Sequence, residues 1–255
     1  MAARCGPEIA ETQASDDGQV LLVRRFDVTD DGRRLEFEDL CSLLGLTSDD
    51  KYDSNRDRAA ARVLVPIPYL ESSNEQLART LLLTFALGNA DCHTKNLGLL
   101  YSTEADVRVA PIYDVLSIRI YDRYADNDPG MFIGGRKSWD PGKALGIYLR
   151  QQLGIDPPRQ RQLVEQVCDA LRDTLSELHH HAAHTPGFED IASRMVYEWS
   201  EGSKRLATRS SITVPDLLAA STAQGIRAKP TRAAAMRRTG ESPLLGRRGR
   251  RPPAS

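Results

Sequence analysis

Asp91, Asn96 and Asp114 are the residues of this chain whose types and spacing could do chemistry. Asp91 and Asn96 stand five positions apart in Asp91-Cys92-His93-Thr94-Lys95-Asn96, and Asp114 closes Ala110-Pro111-Ile112-Tyr113-Asp114. Between them lie two short apolar runs, Leu97–Tyr101 and Val107–Val109, separated by the polar Ser102–Asp106. That pattern predicts a hairpin that doubles the chain back and lands Asp114 beside Asn96. Two oxygen ligands with a third carboxylate suit a hard cation such as Mg2+, which keeps waters and substrate phosphates in its shell. Phosphoryl transfer needs this set: a metal on the phosphate oxygens and a carboxylate to orient the attacking hydroxyl. Kinase catalytic loops place their Asp and Asn at the same interval, and Lys95 is placed to neutralise charge on a transferred phosphate. The spacing alone is common by chance, and the bland alternative is a turn whose Asn and Asp cap backbone groups. The placement between a capped apolar helix and a hairpin ending in Tyr-Asp is the more specific signal.

The elements that must position these residues read as follows. Ser72-Ser73-Asn74-Glu75 has capping-box spacing, and Leu77, Leu81 and Phe85, with Ala78 and Leu82, then form one helical face that ends at Gly88. Upstream, Gln19–Arg25 reads as a strand, Asp30-Asp31-Gly32 as a hairpin signal, Glu36–Leu44 as a short helix closed by Gly45, and Ala59–Leu64 as a helix. Downstream, Met131–Gly135 is a short strand or turn. Asp156 before Pro157-Pro158 caps a helix with the stripe Leu163, Val167, Leu171, Leu175 and Leu178. A further helix spans about Phe188 to Leu206, with Ile191, Met195 and Trp199 inward. The class is α+β, helix-dominated.

Composition sets the outer bounds. The chain has 255 residues, of which 40% are hydrophobic and 27% charged, enough for one full domain. No apolar run approaches the ~20 residues of a membrane helix, and the first residues lack the apolar core of a secretory signal. Cys5, Cys41, Cys92 and Cys168 lie far apart, which signals neither a disulfide framework nor a zinc site; a cytoplasmic protein with free thiols and no membrane contact is expected. The formal net charge of −1 hides +8 in Ser221–Ser255 and −9 before it. Residues 222–255 are rich in Ala, Arg, Pro, Gly and Ser, and read as a disordered basic tail able to make weak nucleic-acid contact.

Three other signals have bland readings. His179-His180-His181 with His184 reads as a solvated helix end rather than a metal site. Gly134-Gly135-Arg136-Lys137 reads as a turn. Cys92 reads as a loop residue with no assignable base to activate it.

The motifs together resemble the C-terminal, catalytic lobe of HipA-type serine/threonine kinases, the toxin halves of bacterial toxin–antitoxin pairs. The matching residues are Val23-Arg24-Arg25-Phe26-Asp27, Glu38-Asp39-Leu40-Cys41, Leu44-Gly45-Leu46 and Lys51-Tyr52. They continue with Gly88–Asn96, Ala110–Asp114 and Ile133-Gly134-Gly135, in the family's order. The resemblance implies a protein-kinase-like large lobe with a small catalytic-site hairpin over residues 19–207. Asp91 would be the base for a substrate hydroxyl, with Asn96 and Asp114 as magnesium ligands. His93 and Lys95 would line the phosphate end, Tyr113 would adjoin the nucleotide, and Arg24, Arg25 and Phe26 would form the hinge that pairs with adenine through backbone groups. ATP and Mg2+ are the implied cofactors, a protein serine or threonine the implied substrate.

The expected departure is at the N-terminus. Residues 1–18 hold no glycine-rich phosphate loop and no lysine, so they read as a residual small-lobe segment, with the N-terminal lobe largely missing. The chain alone is therefore expected to be impaired, with an antitoxin or a separate small-lobe polypeptide as partner. The alternatives are a non-catalytic remnant or interaction module, and a small-molecule or lipid phosphotransferase.

Overall fold

Among the described residues, Gln76 to Ala90 is the longest unbroken buried stretch, and the rest of the fold is arranged around it. The structure, a computed structural model, describes residues 1–6, 8–51, 70–133, 135, 137–210, 216–232 and 234–235. The expected helix Ala59–Leu64, Tyr52, Gly134 and Arg136 lie outside the described residues.

In chain order the strands are β1 (Thr12–Ala14), β2 (Leu21–Val23), β3 (Glu36–Asp39), β4 (Gly98–Tyr101) and β5 (Arg108–Val109). The α-helices are α1 (Leu40–Leu43), α2 (Leu70–Leu87), α3 (Lys143–Leu153), α4 (Pro157–His184), α5 (Glu189–Ser210) and α6 (Leu217–Ala223). The class is α+β and helix-rich, as expected. Helix α2 packs against α4 and α5. The buried stripe of α4 (Leu163, Val167, Leu171, Leu175) shares one core with Leu77, Leu81 and Leu82 of α2 and with Val196 and Trp199 of α5. Asp156 accepts the Arg159 N–H at 2.8 Å ahead of Pro157, the cap and proline start that the sequence predicts.

Two small antiparallel sheets lie outside this core, β1-β2 and β3-β4-β5. The β4-β5 hairpin forms as predicted, with Leu99 opposite Val109. Its turn is organised by Asp106, whose carboxylate accepts the N–H groups of Ser102 and Thr103. The third strand corrects the sequence reading: Glu36–Leu44 is not one helix. Glu36–Asp39 pairs with β4, Phe37 opposite Leu100, and only Leu40–Leu43 is helical, capped by Asp39. The alternating exposure of Glu36 to Asp39 suits a strand face, and the open edge of β4 supplies the partner; both are tertiary facts.

Other boundaries also move. Helix α2 begins at Leu70, so Ser72 sits inside it rather than at its cap. Glu75 is instead an ion-pair partner of Arg79 (2.9 Å) and Arg159 (2.6 Å), which joins α2 to α4. His179 is buried, not solvated; it contacts Gln224 and, at 3.1 Å, the Ser221 hydroxyl of α6. The chain expected to be tail from Thr222 continues packed as far as it is described, with Thr231 and Ala234 buried.

Cys5 and residues 8–10 are stitched to the rest of the fold. Arg79 Nε donates to the Cys5 carbonyl at 2.7 Å, Gln76 bonds both backbone groups of Glu8, and Ile9 bridges Ile112. Residues 8–10 therefore hold the strand-like segment that ends in Asp114: Ile112 donates to Glu8 and Ala10 donates to Ile112. All four cysteines are free and buried. Among the described residues, no helix is long and apolar enough to cross a membrane.

Candidate active site

The loop from Gly88 to Leu97 starts where α2 must stop. Gly88 adopts φ +67°, a left-handed conformation that costs glycine nothing, and Asn89 N–H closes the last turn onto Thr84. The Asn89 side chain is buried and accepts the Asp91 N–H at 3.2 Å, which fixes the start of the loop. One turn of 3-10 helix, Thr94–Asn96, then delivers Asn96 to the foot of β4.

Asn96 and Asp114 meet as the hairpin predicts. Asn96 Nδ2 donates to Asp114 Oδ2 at 2.6 Å, although the two residues are 18 apart in sequence. Asp114 has φ +53°, the one positive value outside glycine among the described residues. A side chain held in that region carries strain of the order of 1 kcal/mol, and such strain gathers where a site dictates the backbone. The partner amide oxygen, Asn96 Oδ1, is buried and has no hydrogen-bond partner. A buried carbonyl-type oxygen left unpaired beside a carboxylate fits a hard cation that takes oxygen ligands. Among the described residues no group of three or more His, Cys, Asp or Glu could hold a metal; a magnesium ion held by one Asn and one Asp needs none.

Asp91 and His93 share the same neighbourhood. His93 Nε2 lies 3.8 Å from Asp91 Oδ1, and His93 is buried. Burial holds its pKa below the usual histidine value and the Lys51 charge adds to this, while Asp91 and Asp114 oppose it. The imidazole is thus neutral at neutral pH. Lys51 belongs to this site through its charge at His93 and its carbonyl, which accepts from Thr94 Oγ1 at 3.3 Å. No role for Lys51 was legible in sequence beyond the Lys51-Tyr52 pair in the family pattern.

Two of the expected site residues are placed less directly. The Lys95 ammonium donates to Ser48 Oγ at 3.0 Å, in the chain after α1, rather than to Asp91 or Asp114. Arg24 uses its backbone N–H to pair with Glu11 and its guanidinium to bridge Glu11 and Asp30. Its N–H is therefore committed within the fold. These residues line an open cavity of about 410 Å³ with Ile9, Ala10 and Val28. Phe26 meets Phe37 edge-on (5.5 Å between ring centres) and lies tilted against Tyr113 (5.4 Å), so the Arg24–Phe26 segment is packed directly against the residue before Asp114. The Tyr113 hydroxyl donates to the Lys95 carbonyl at 2.6 Å, and burial pushes its pKa well above the usual phenol value.

The far wall of the site was not legible in sequence. Gly130 lies so close to the loop that a Cβ there would come within 2.1 Å of the Cys92 carbonyl oxygen. Cys92 itself is buried against Met131 and is not an exposed loop thiol. Behind the loop, Arg119 and Glu198 form a buried pair at 3.3 Å, and the Arg119 guanidinium lies 4.7 Å from the centre of the Trp139 ring. Gly88 sits on this pair: a Cβ there would lie 3.1 Å from Glu198 Oε2.

Comparison with known proteins places this arrangement. The fold is similar to that of the HipA chain in the Shewanella oneidensis complex of HipA, HipB and operator DNA, with a TM-score of 0.55 and 19% identity. The match covers 82% of this chain and 53% of that one. The HipA-like C-terminal domain model matches residues 1–175, and the chain belongs to that family. In sequence it is 36% identical over 103 residues to Putative kinase Y4dM of Sinorhizobium fredii, and 26% identical over 198 residues to Putative kinase Y4mE of the same organism. These matches cover 39% and 70% of this chain, but 24% and 44% of the relatives. The chain thus spans about half the length of the proteins it matches, or less.

Proposed function

We propose that this chain carries the catalytic half of a cytoplasmic kinase that moves the γ-phosphoryl group of ATP, with Mg2+, to a serine or threonine hydroxyl of a protein. The observation that carries the reading is the Asn96–Asp114 pair, with its unpaired buried amide oxygen and its left-handed aspartate. Asn96 Oδ1 and the Asp114 carboxylate would hold the metal, whose charge would neutralise the phosphate oxygens. Asp91 would accept the proton of the attacking hydroxyl. Neutral His93 and, once released from Ser48, the Lys95 ammonium would face the phosphates, and the backbone of Arg25 and Phe26 would take the adenine. Membership of the HipA-like family and the kinase names of its relatives support this assignment.

The β1-β2 hairpin supports a partner element. Val20, Leu21, Leu22 and Val23 are each more than half exposed, a two-stranded ribbon with its apolar residues in water. A small lobe, on a separate polypeptide or on further chain, would cover that ribbon and supply a phosphate loop. An antitoxin is the other expected partner, since the Shewanella toxin is seen with HipB.

Magnesium-dependent ATP binding, measured by calorimetry on the purified chain and on Asp114→Ala, tests the site. Binding in the parent that weakens at least tenfold in the variant is the expected result. Binding indifferent to both magnesium and Asp114 would overturn the assignment, and no binding at millimolar ATP would favour a non-catalytic remnant.

A further inference from the structure

Helices α2, α3, α4 and α5 leave a cavity of about 290 Å³ between them, which shares no lining residue with the Asp91–Asp114 site. That is room for about ten water-sized groups, at the small end of the range for small-molecule sites. Its inner wall is Leu82, Leu145, Leu149, Val164 and Leu206, all buried. Lys143, Ile147 and Arg150 also line it and are exposed, so they stand at its mouth.

The charges of this cavity have one sign. Lys143, Arg150 and Arg205 line it, and among the described residues no aspartate or glutamate does. Arg205 is part-buried, and its Nη1 is buried with no hydrogen-bond partner. Glu198, the carboxylate that feels the Arg205 charge, is held by Arg119 at 3.3 Å and does not line the cavity. A guanidinium nitrogen shut away from water with nothing to donate to is unfavourable, and a carboxylate is the planar anion that its fork fits. One unpaired buried donor suits a monoanion better than a phosphate dianion.

The remaining polar side chain of the wall already has its partners. Gln160 Nε2 donates to the Gly146 carbonyl at 3.0 Å and to the Ile155 carbonyl at 2.7 Å, which ties α4 to α3. Gly146 stands inside α3, where glycine is unfavourable, and a Cβ there would lie 3.2 Å from Gln160 Oε1. Its missing side chain keeps this wall of the cavity open. We propose that the cavity binds a small amphipathic carboxylic acid, its apolar chain along Leu82, Leu145, Leu149, Val164 and Leu206 and its carboxylate accepting from Arg205 Nη1. Burial of the chain supplies affinity, and Arg205 supplies selectivity for the anion. The site stands independently of the kinase reading.

Calorimetry on the full chain with octanoate, octanol, octylammonium and octyl phosphate tests the site. Octanoate should bind at least tenfold more tightly than octanol, and octylammonium more weakly than either. Arg205→Gln should bring the octanoate-to-octanol ratio to within about twofold of one, and Arg205→Lys, which keeps the charge, should keep octanoate ahead. Gly146→Leu, which puts a side chain into the cavity, should weaken octanoate and octanol alike by at least tenfold with an unchanged circular dichroism spectrum. Equal affinity of the parent for octanoate and octanol, tighter binding of octyl phosphate, octanoate binding indifferent to Arg205→Gln, or no binding at millimolar octanoate would each overturn the proposal.

Discussion

At the scale of single residues, the proposed site would divide its labour between groups that hold a cation and groups that handle a proton. Asn96 and Asp114 are tied to each other, whereas Asp91 is tied to the loop through Asn89 and faces His93. The two aspartates should therefore fail differently. Asp91→Asn keeps a similar volume and its backbone anchor, so magnesium-dependent ATP binding should stay within about twofold of the parent. Phosphoryl transfer, in any assembly where it is measurable, should fall by about 10² to 10⁴, the usual contribution of one proton acceptor. A variant that transfers phosphate at the parental rate would remove Asp91 from the reaction.

Among the elements, the Gly88–Leu97 loop is backed by α5, whose Glu198 lies against Gly88. Gly202 lets α5 cross α2 closely; a Cβ there would meet the Ala86 carbonyl oxygen at 2.3 Å. Alanine gains about 1 kcal/mol of helix propensity over glycine, but overpacking against backbone costs about 1–3 kcal/mol or more. Gly202→Ala should thus lower the unfolding free energy, checked by urea denaturation; a rise would mean the two helices can separate cheaply. The Arg119–Glu198 pair makes a second, sharper case. Burial pushes the Glu198 pKa up, while the Arg119 and Arg205 charges pull it back. Glu198→Gln leaves a buried guanidinium without its counter-charge and should cost about 3–5 kcal/mol, while Arg119→Met with Glu198→Leu should recover most of the loss. Equal costs for the single and double variants would show that the pair is not coupled.

Over the whole molecule, one core unites the first residues of the chain with its helices, and titration should reveal it. Cys5 and Cys168 are both buried in that core. Burial pushes Cys5 up from 9.0 to about 11 and Cys168 from 9.0 to about 12. Above pH 9 the unfolded chain releases these protons while the folded chain keeps them, so stability falls as pH rises through 9 to 12. The loss is about 2–4 kcal/mol per thiol at the top of the window. Urea midpoints measured across pH 8–11 should drop more steeply in the parent than in Cys5→Ala/Cys168→Ala. Parallel curves would mean that these thiols ionise in the folded state.

What the sequence determined by itself is what short-range physics fixes. The apolar face of α2, its glycine stop, the β4-β5 hairpin and the proline-capped α4 each follow from spacing within one stretch of chain. The meeting of Asn96 with Asp114 follows from the hairpin between them. Tertiary structure decided whatever depends on a distant partner. Glu36–Asp39 became a strand because β4 offered an open edge, Glu75 an ion-pair hub because Arg159 lay opposite, and His179 a core residue because α6 packed over it. The Lys51 charge at His93 and the Gly130 contact were likewise invisible in sequence. Each depends on backbone approach or charge proximity across long separations, and no local pattern encodes either one.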